Sequence, residues 1–270
     1  MRTALVTGTS SGIGLHTAVG LAVAGFHVIA TVRDPSRSDA LLAAAHDAGV
    51  EVEVVALDVT DAARSAEVVQ QAGAIDVLVN NAGRGSVATL EQLTDEDLPA
   101  QLDVNLIAVA RLTRLVLPGM RERGAGRIVT VTSVGGAVGQ PFADAYCAAK
   151  FAVEGLMQSL APVVAPFGVQ VSVVEPAAVA SAFVENVERP AAGEGGPYGA
   201  LLDAYLARTA GAFAAAQSPA EAAGTVIEAA ITDAPRFRWQ TSATAVAFAG
   251  RSLADLDGSR VLEVTRSWLV

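Results

Sequence analysis

The stretch Ala4-Leu-Val-Thr-Gly8-Thr-Ser-Ser-Gly12-Ile-Gly14 places a glycine-rich turn between a short apolar run and an apolar helical segment. This order predicts a buried strand, a turn and a helix. Glycine lets the backbone approach a ligand, and the helix N-terminus offers free N–H groups to a pyrophosphate. The spacing is G-x-x-x-G-x-G, not the usual G-x-G-x-x-G. The candidate ligand-binding residues of this loop are Gly8, Ser10, Ser11, Gly12, Ile13 and Gly14.

Apolar, β-branched runs alternate with helical patterns along the rest of the chain. The runs that we expect to be strands are 27–32, 51–57, 75–79, 127–132 and 170–174, with an edge strand within 235–240. This alternation predicts a parallel sheet with helices on both faces. The expected fold is therefore α/β, a single Rossmann-type doubly wound sheet of about seven strands in one domain over residues 1–270. Ligands bind at the carboxyl ends of such strands.

Composition narrows the classes of function. The chain has 270 residues and is 52% hydrophobic and 17% charged, which is enough apolar material for a large core. Its formal net charge of −10 argues against nucleic acid or an anionic membrane as a partner. Cys147 is the single cysteine, so a reducing cytoplasm fits, and the three separated histidines suggest no metal site. Glycines divide the uncharged stretch Thr3–Val32 into strand, turn, helix and strand, so we reject a membrane span there.

Ser133, Tyr146 and Lys150 form a candidate catalytic group. Ser133 follows the predicted strand at 127–132, and Tyr146 and Lys150 are four residues apart, which places them on one face of a helix. A nearby ammonium favours the phenolate, so we expect Lys150 to lower the Tyr146 pKa and to suit the phenol to acid–base work. Lys150 is also the single lysine of the chain. Without other motifs, both residues could be ordinary positions on a helix surface.

The end of the second predicted strand suggests which cofactor binds. It reads Thr31-Val32-Arg33-Asp34, followed by Pro35. In dinucleotide folds an acidic residue at this place binds the ribose 2′-hydroxyl, whereas an arginine accommodates a 2′-phosphate. Because Arg33 comes first, we favour NADP(H) and keep NAD(H) as the alternative. In a purely structural reading, Arg33 is a solvated loop residue and Asp34 forms a turn.

Three further segments carry polar residues near strand ends. Asp58-Val59 follows the third strand, and because Thr60 or Asp61 can cap the next helix, Asp58 is free to accept a hydrogen bond from an adenine amine. The turn after the fourth strand is tight enough for a ligand to lie against it, and its candidate residues are Asn81, Ala82 and Gly83. Asn105 lies in a mostly buried helical stretch at 95–123 and so needs hydrogen-bond partners.

The strand–helix rhythm breaks at about 183–216, after the sixth strand. The apolar side chains of this segment include Phe183, Tyr198, Leu201, Tyr205 and Phe213. They fit two interpretations equally well, a lid over a cleft for an apolar substrate and a packed pair of surface helices. The tail at 243–270 supports no firm expectation.

Taken together, these motifs resemble the short-chain dehydrogenase/reductase family. The stretches that carry the resemblance are Thr7-Gly-x-x-x-Gly-Ile-Gly14, Asp58-Val59, Asn80-Asn-Ala-Gly83, Asn105, and Ser133 with Tyr146-x-x-x-Lys150. The likeness covers about residues 2–240. It is greatest to the branch that contains 17β-hydroxysteroid and retinol dehydrogenases, through Ala30-Thr-Val-Arg-Asp34 and Tyr146-Cys-Ala-Ala-Lys-Phe-Ala-Val-Glu-Gly155.

The resemblance implies a role for each motif. Tyr146 would be the general acid or base, Ser133 would hold the substrate oxygen, Lys150 would bind the nicotinamide ribose, and Asn105 would keep a water in a proton relay. The residues implied in cofactor binding are the glycine loop, Arg33, Asp58, Val59, Asn81, Ala82, Gly83, Tyr146, Lys150, Pro176, Val179 and Ser181. Val179 and Ser181 would face the nicotinamide. The family usually has Pro-Gly after the sixth strand, and Ala177 here could weaken cofactor binding.

The expected activity is therefore the NADP(H)-dependent interconversion of a secondary alcohol and a ketone on a fairly apolar small molecule, such as a steroid-like or polyketide-like compound. An NAD(H)-dependent enzyme of the same type, an epimerase or dehydratase, and a cofactor-binding regulator without turnover are the alternatives. In this family the helices at 95–123 and 145–167 commonly pair between subunits, which implies a homodimer or homotetramer.

Overall fold

The computed structural model describes residues 1–181, 183, 187, 196–214, 216–257 and 259–267. Seven parallel strands form one sheet in the order β3-β2-β1-β4-β5-β6-β7. The strands are β1 (Thr3–Thr7), β2 (His27–Val32), β3 (Glu53–Ala56), β4 (Val77–Asn80), β5 (Gly126–Val131), β6 (Val169–Glu175) and β7 (Arg238–Gln240). The order reverses between β1 and β4, which is the switch point of a doubly wound fold. The predicted fold class and the edge strand are thereby confirmed.

Helices cover both faces of the sheet. They are α1 (Gly12–Val23), α2 (Asp39–Asp47), α3 (Ala62–Ala72), α4 (Asp97–Leu102), α5 (Ala108–Arg123), α6 (Asp144–Val164), α7 (Gly199–Ala214), α8 (Pro219–Ile231), α9 (Ala243–Leu253) and α10 (Ser259–Arg266). Asp61 caps α3 by accepting the N–H of Arg64, and Ser218 and Glu221 form a reciprocal capping box on α8. Over the residues described, none of these helices has both the length and the apolarity to cross a bilayer.

The core has two halves because side chains alternate between the faces of each strand. Ala4 and Val6 point to the half covered by α1 and α8, whereas Leu5 between them points to the half covered by α3, α5 and α6. All three side chains are fully buried. Helices therefore cover both faces of the sheet, and the polar residues of interest follow the carboxyl ends of its strands.

The stretch 95–123 is not the single regular helix that the sequence predicts. α4 ends at Leu102, a π-helical turn occupies Asp103–Ile107, and α5 begins at Ala108. A π turn inserts one extra residue into a helix and is frequent at functional sites. Asn105 lies within this turn and is 1% exposed.

Part of the segment expected to form a lid is an ordered helix. Leu202 and Tyr205 of α7 pack against Phe142, whose ring lies 5.5 Å from that of Tyr205. Phe248 of α9 and Val264 of α10 join the same apolar cluster, so the tail also contributes to it. Residues 184–186, 188–195 and 215 of the expected lid lie outside the described residues.

Candidate active site

Ser133, Tyr146 and Lys150 come together at the carboxyl edge of the sheet. Ser133 stands two residues after β5, Tyr146 lies in the first turn of α6, and Lys150 follows one turn later. The Ser133 hydroxyl lies close enough to the Tyr146 phenol to lower its pKa, and the Ser133 Oγ accepts the Gly135 N–H at 2.9 Å. The Lys150 Nζ lies 5.7 Å from the centre of the Tyr146 ring. The arrangement predicted from the spacing is therefore present.

The prediction that Lys150 lowers the pKa of Tyr146 is wrong in this structure. Burial raises the pKa of Tyr146 to about 12, and the Ser133 hydroxyl opposes this rise. The Lys150 Nζ lies 5.7 Å from the ring centre and donates to the Val131 carbonyl at 3.1 Å. Burial also lowers the pKa of Lys150 to about 8. Desolvation is thus the main cause of both pKa shifts.

Asn105 lies close to Lys150 across Gly83. A Cβ atom on Gly83 would lie 2.9 Å from the Asn105 Oδ1 and 3.7 Å from the Lys150 Nζ, so glycine keeps the space between them open. The Asn105 Nδ2 donates to the Arg84 carbonyl at 2.9 Å, and the Arg84 N–H donates to the Asn105 Oδ1 at 3.3 Å. These bonds fix the amide and satisfy the requirement for polar partners predicted from its burial.

The glycine loop is shaped by close approach to the turn after β4. Gly8 and Gly12 have φ angles of 69° and 61°, which favour glycine. A Cβ atom on Gly14 would lie 2.2 Å from the Gly8 carbonyl oxygen and 2.3 Å from the Asn81 Nδ2. The same Nδ2 donates to the carbonyl oxygens of Thr7 at 2.8 Å and Gly8 at 2.9 Å. The Asn81 amide therefore holds the loop, and both of its N–H groups are used inside the protein.

The start of α1 fits a phosphate group. Ser11 is the N-cap, its side chain makes no capping bond within the described structure, and the first turn contains no acidic residue. The first N–H groups of the helix are thus left for a ligand, and the macrodipole favours a negative charge there. Ser181 lies next to the glycine loop, because a Cβ atom on Gly12 would lie 3.3 Å from the Ser181 Cβ. Val179 is buried and pairs with Gln217.

Arg33 and Asp34 differ in how far their side chains are engaged by hydrogen bonds within the described structure. The Asp34 Oδ1 accepts the N–H and the hydroxyl of Ser36 at 3.0 and 2.8 Å, so this carboxylate caps its own turn. Arg33 is exposed, and its guanidinium makes no hydrogen bond to another described residue. The Asp58 Oδ1 likewise accepts two hydrogen bonds from Thr60, which lower the Asp58 pKa, and the charge of nearby Arg33 lowers it further.

The segment after β6 tolerates Ala177. The Pro176 carbonyl accepts the Val134 N–H at 2.9 Å, which joins this segment to the turn of Ser133. Among the described non-glycine residues, Phe142 alone has a positive φ, of 59°. The backbone at Ala177 is therefore outside the left-handed region, and its methyl group causes no backbone strain.

Gln140 is a site residue that the sequence did not indicate. A Cβ atom on Gly135 would lie 3.4 Å from the Gln140 Nε2, 3.3 Å from the Ser133 Oγ and 3.1 Å from the Tyr146 Cε1. An amide therefore stands near the Ser133 hydroxyl and the edge of the Tyr146 ring. It lies in an irregular loop, where no periodicity relates a residue to its neighbours in space. The ring of Phe183 lies 6.1 Å from that of Tyr146 and bounds the site on its apolar side.

Comparison with known proteins agrees with this geometry. The family model for short chain dehydrogenase matches residues 2–192. The chain is 38% identical over 274 residues to human 17-beta-hydroxysteroid dehydrogenase type 1, covering 94% of this chain and 82% of that protein. A short-chain dehydrogenase from Streptomyces avermitilis superposes with a TM-score of 0.78 at 34% identity, covering 98% and 97% of the two chains.

A second solved structure, an alcohol dehydrogenase from Thermococcus sibiricus complexed with 5-hydroxy-NADP, is 26% identical. Its TM-score is 0.71, and the match covers 89% of this chain and 95% of that one. The family model spans well over half of the chain, and the sheet order and the Ser133–Tyr146–Lys150 arrangement fit the same family. The chain therefore belongs to the short-chain dehydrogenase family of nicotinamide-dependent oxidoreductases.

Proposed function

We propose that this protein is an NADP(H)-dependent oxidoreductase that interconverts a secondary alcohol and a ketone on a fairly apolar substrate. The observation that carries the proposal is that Ser133 and Tyr146 both flank Gly135, with the Lys150 Nζ 5.7 Å from the centre of the Tyr146 ring. This group stands at the carboxyl edge of the sheet, where doubly wound folds bind their ligands. The nicotinamide, when bound, gives or takes the hydride, and the protein handles the proton.

Tyr146 acts as the proton donor and acceptor. Because burial raises its pKa to about 12, the phenol is protonated at neutral pH and ready to protonate the oxygen of a ketone during reduction. Ser133 donates a hydrogen bond to the same oxygen. The positive charge of Lys150 stabilises the phenolate that remains, and Asn105 orients a water that returns a proton through Lys150. Oxidation of an alcohol runs through the same groups in reverse.

Arg33 is the residue that we assign to the 2′-phosphate of NADP(H). Its guanidinium is exposed at the end of β2, whereas the Asp34 carboxylate is engaged by Ser36. Arginine matches phosphate geometry with two parallel N–H groups. An NADP derivative is also what the alcohol dehydrogenase structure contains. The glycine loop, Asp58, Val59, Ala82, Gly83, Pro176, Val179 and Ser181 complete the proposed cofactor site.

The proposed substrate class is inferred from the apolar side chains around the site. Phe142, Leu202 and Tyr205 form a buried apolar cluster beside the site, and Phe183 contacts the Tyr146 ring. These side chains favour an extended apolar molecule such as a steroid, and the similarity to a 17-beta-hydroxysteroid dehydrogenase makes steroids the first compounds to screen. The Gln140 amide adds a polar contact near the reacting oxygen.

We also propose that the protein forms a homodimer or homotetramer through α5 and α6. A groove of about 420 Å³ between these helices has an apolar lining that includes Leu117, Leu160 and Phe167. Val163 and Phe167, which also line this groove, are 63% and 47% exposed, so the apolar surface is accessible to a partner subunit. A cytoplasmic location, with the single Cys147 reduced, is part of the same proposal.

Titration of the purified protein with NADPH and NADH, followed by nicotinamide fluorescence, tests the cofactor assignment. We expect tighter binding of NADPH, and then turnover with apolar ketones or secondary alcohols in a screen. Tighter binding of NADH would indicate instead that Asp34 binds the ribose 2′-hydroxyl of NAD(H). Binding of either cofactor without turnover of any ketone or alcohol would favour a regulator and contradict the proposed activity.

A further inference from the structure

The Arg111 side chain of α5 reaches the turn that follows β3. Its Nη1 donates to the carbonyl oxygens of Val59 at 2.8 Å and Thr60 at 3.2 Å. The side chain is 15% exposed, and its Nη2 lies 3.8 Å from the Asp103 carboxylate in the π turn before α5. None of these contacts is used in the proposed reaction. Arg111 therefore connects the turn after β3, which belongs to the proposed cofactor site, with the helical segment of α5.

Most polar groups of this turn are engaged in hydrogen bonds. The Asp58 carbonyl accepts the Asp61 N–H at 3.0 Å, and the Asp58 Oδ1 accepts both the N–H and the hydroxyl of Thr60. Arg111 bonds the two carbonyls between Asp58 and Asp61. Within the described part of the chain, the Val59 N–H and the Asp58 Oδ2 make no hydrogen bond. The turn therefore offers an N–H and a carboxylate oxygen on adjacent residues to a ligand.

An N–H and a carboxylate oxygen match the hydrogen-bonding edge of adenine, the base that both nicotinamide cofactors contain. Adenine presents an acceptor at N1 and a donor at its exocyclic amine, and proteins read bases through hydrogen bonds to this edge. Hypoxanthine presents the opposite pattern, an N1–H donor and a carbonyl acceptor, so it would leave both groups of the turn unpaired. A site built for hydrogen bonds discriminates strongly against a ligand that cannot form them. We therefore expect the turn to prefer adenine over hypoxanthine.

Arg111 is linked to the Asp58 carboxylate through one peptide plane. The Val59 carbonyl and the Thr60 N–H belong to the same planar peptide unit. Arg111 bonds the carbonyl end of this unit, and the Asp58 Oδ1 accepts the N–H at its other end at 2.9 Å. A rotation of the unit would break both hydrogen bonds at once and free the carboxylate from that N–H. The guanidinium therefore stabilises the orientation of the carboxylate that the turn presents to a base.

We propose that Arg111 is a positioning residue for the adenine end of the cofactor. By holding the carbonyls of Val59 and Thr60, it keeps the Val59 N–H and the Asp58 carboxylate in place for the base. This inference rests on the proposed cofactor site. The catalytic group takes no part in it, so the expected effect is on cofactor affinity and not on the chemical step.

Titration with NADPH and with its hypoxanthine analogue, followed by nicotinamide fluorescence, measures what the turn reads. We expect the wild-type protein to bind NADPH about tenfold more tightly than the analogue. Arg111→Met keeps an apolar stem of similar length but removes the donors, so the preference should fall to about twofold or less. The loss should come from weaker binding of NADPH, because the analogue forms neither hydrogen bond in either protein. The Kd of NADH should rise by the same factor, because NADH also contains adenine.

Arg123→Met is the matched control, because Arg123 makes the same type of contact from the same helix. Its Nη2 donates to the Ile75 carbonyl at 2.6 Å, ahead of β4 and thus at the amino end of the sheet. Its loss should lower the stability of the protein in a similar way but leave the preference for NADPH unchanged. A comparable loss of preference in both variants would attribute the effect of Arg111 to general destabilisation and overturn the proposal.

An unchanged preference in folded Arg111→Met, checked by its melting curve, would also overturn the proposal, as would a wild-type protein that binds both compounds equally. If Arg111→Met does not fold, Arg111→Lys decides the matter, since lysine keeps the charge but replaces the planar guanidinium with a shorter, single-nitrogen donor. The preference of this variant should fall to about threefold. A preference at the wild-type level would count against a positioning role for Arg111.

The same titration separates this inference from the proposed function. A wild-type protein that binds no nicotinamide cofactor would refute both, whereas a wild-type protein that binds NADPH and an Arg111→Met variant that keeps its preference would refute this inference alone. Where activity is found, Arg111→Met should raise the KM of NADPH about fivefold and change kcat by less than about twofold. A fall in kcat with an unchanged KM would contradict a role confined to the adenine end.

Discussion

Replacing Arg33 with alanine should weaken binding of NADPH and leave binding of NADH almost unchanged. The guanidinium is exposed and has no hydrogen-bonded partner among the described residues, so its removal leaves no buried charge behind. A charge-assisted hydrogen bond contributes about 1.5–3 kcal/mol, and solvent exposure places this one near the lower bound. About 1.5 kcal/mol corresponds to a roughly tenfold increase in the Kd of NADPH. The Kd of NADH should change by less than about twofold.

The assay is a fluorescence titration of each cofactor at low and high salt. Because the Debye length falls from about 10 Å at 0.1 M salt to about 3 Å at 1 M, the preference for NADPH should shrink in high salt. Arg37→Ala is the matched control, since Arg37 is an exposed arginine in the same turn and should change neither affinity. Equal weakening of both cofactors by Arg33→Ala, or no weakening of NADPH, would refute the assignment of Arg33 to the 2′-phosphate.

Three other substitutions test separate parts of the structure. Gly14→Ala should lower NADPH affinity by about 100-fold or more, because the new Cβ would lie 2.2 Å from the Gly8 carbonyl oxygen. As a control, Gly139→Ala should bind NADPH normally, because its Cβ would have no other atom within 4 Å. Val163→Glu should reduce the mass measured by light scattering to that of a monomer, and an unchanged oligomer would exclude the groove between α5 and α6 as the interface. Gln140→Leu should lower kcat/KM about tenfold for substrates with a second oxygen near the ketone but not for simple ketones, and equal losses for both would contradict a polar contact there.

The parts of the fold that the sequence predicts are those determined by local patterns. Strands such as β1 and β6 are short runs of buried residues, and their length, their β-branched residues and the glycine or proline beside them distinguish them from helices. Tyr146 and Lys150 are related by one helical turn, so their proximity follows from spacing alone. The Ser133 turn could be placed with them because it follows a predicted strand of a parallel sheet.

Features that depend on distant contacts were not predictable in this way. Glu175 and Arg238 are 63 residues apart, and their ion pair forms only because β6 and β7 are neighbours in the sheet. The direction of the Tyr146 pKa depends on the competition between burial and a neighbouring charge, and burial is a property of the packed structure. The π turn around Asn105 has no known local signal in its residues, which form an ordinary helical pattern.

The central claim is that Tyr146 transfers the proton, and Tyr146→Phe tests it most directly. The substitution removes one hydroxyl group from a residue that keeps its ring contacts with Phe183 and Lys150. We expect kcat to fall by about 1,000-fold, because general acid–base catalysis contributes roughly 10²–10⁴-fold. The Kd of NADPH should stay within about threefold of the wild-type value. Full turnover by Tyr146→Phe, measured with a substrate that the wild-type protein reduces, would contradict the mechanism.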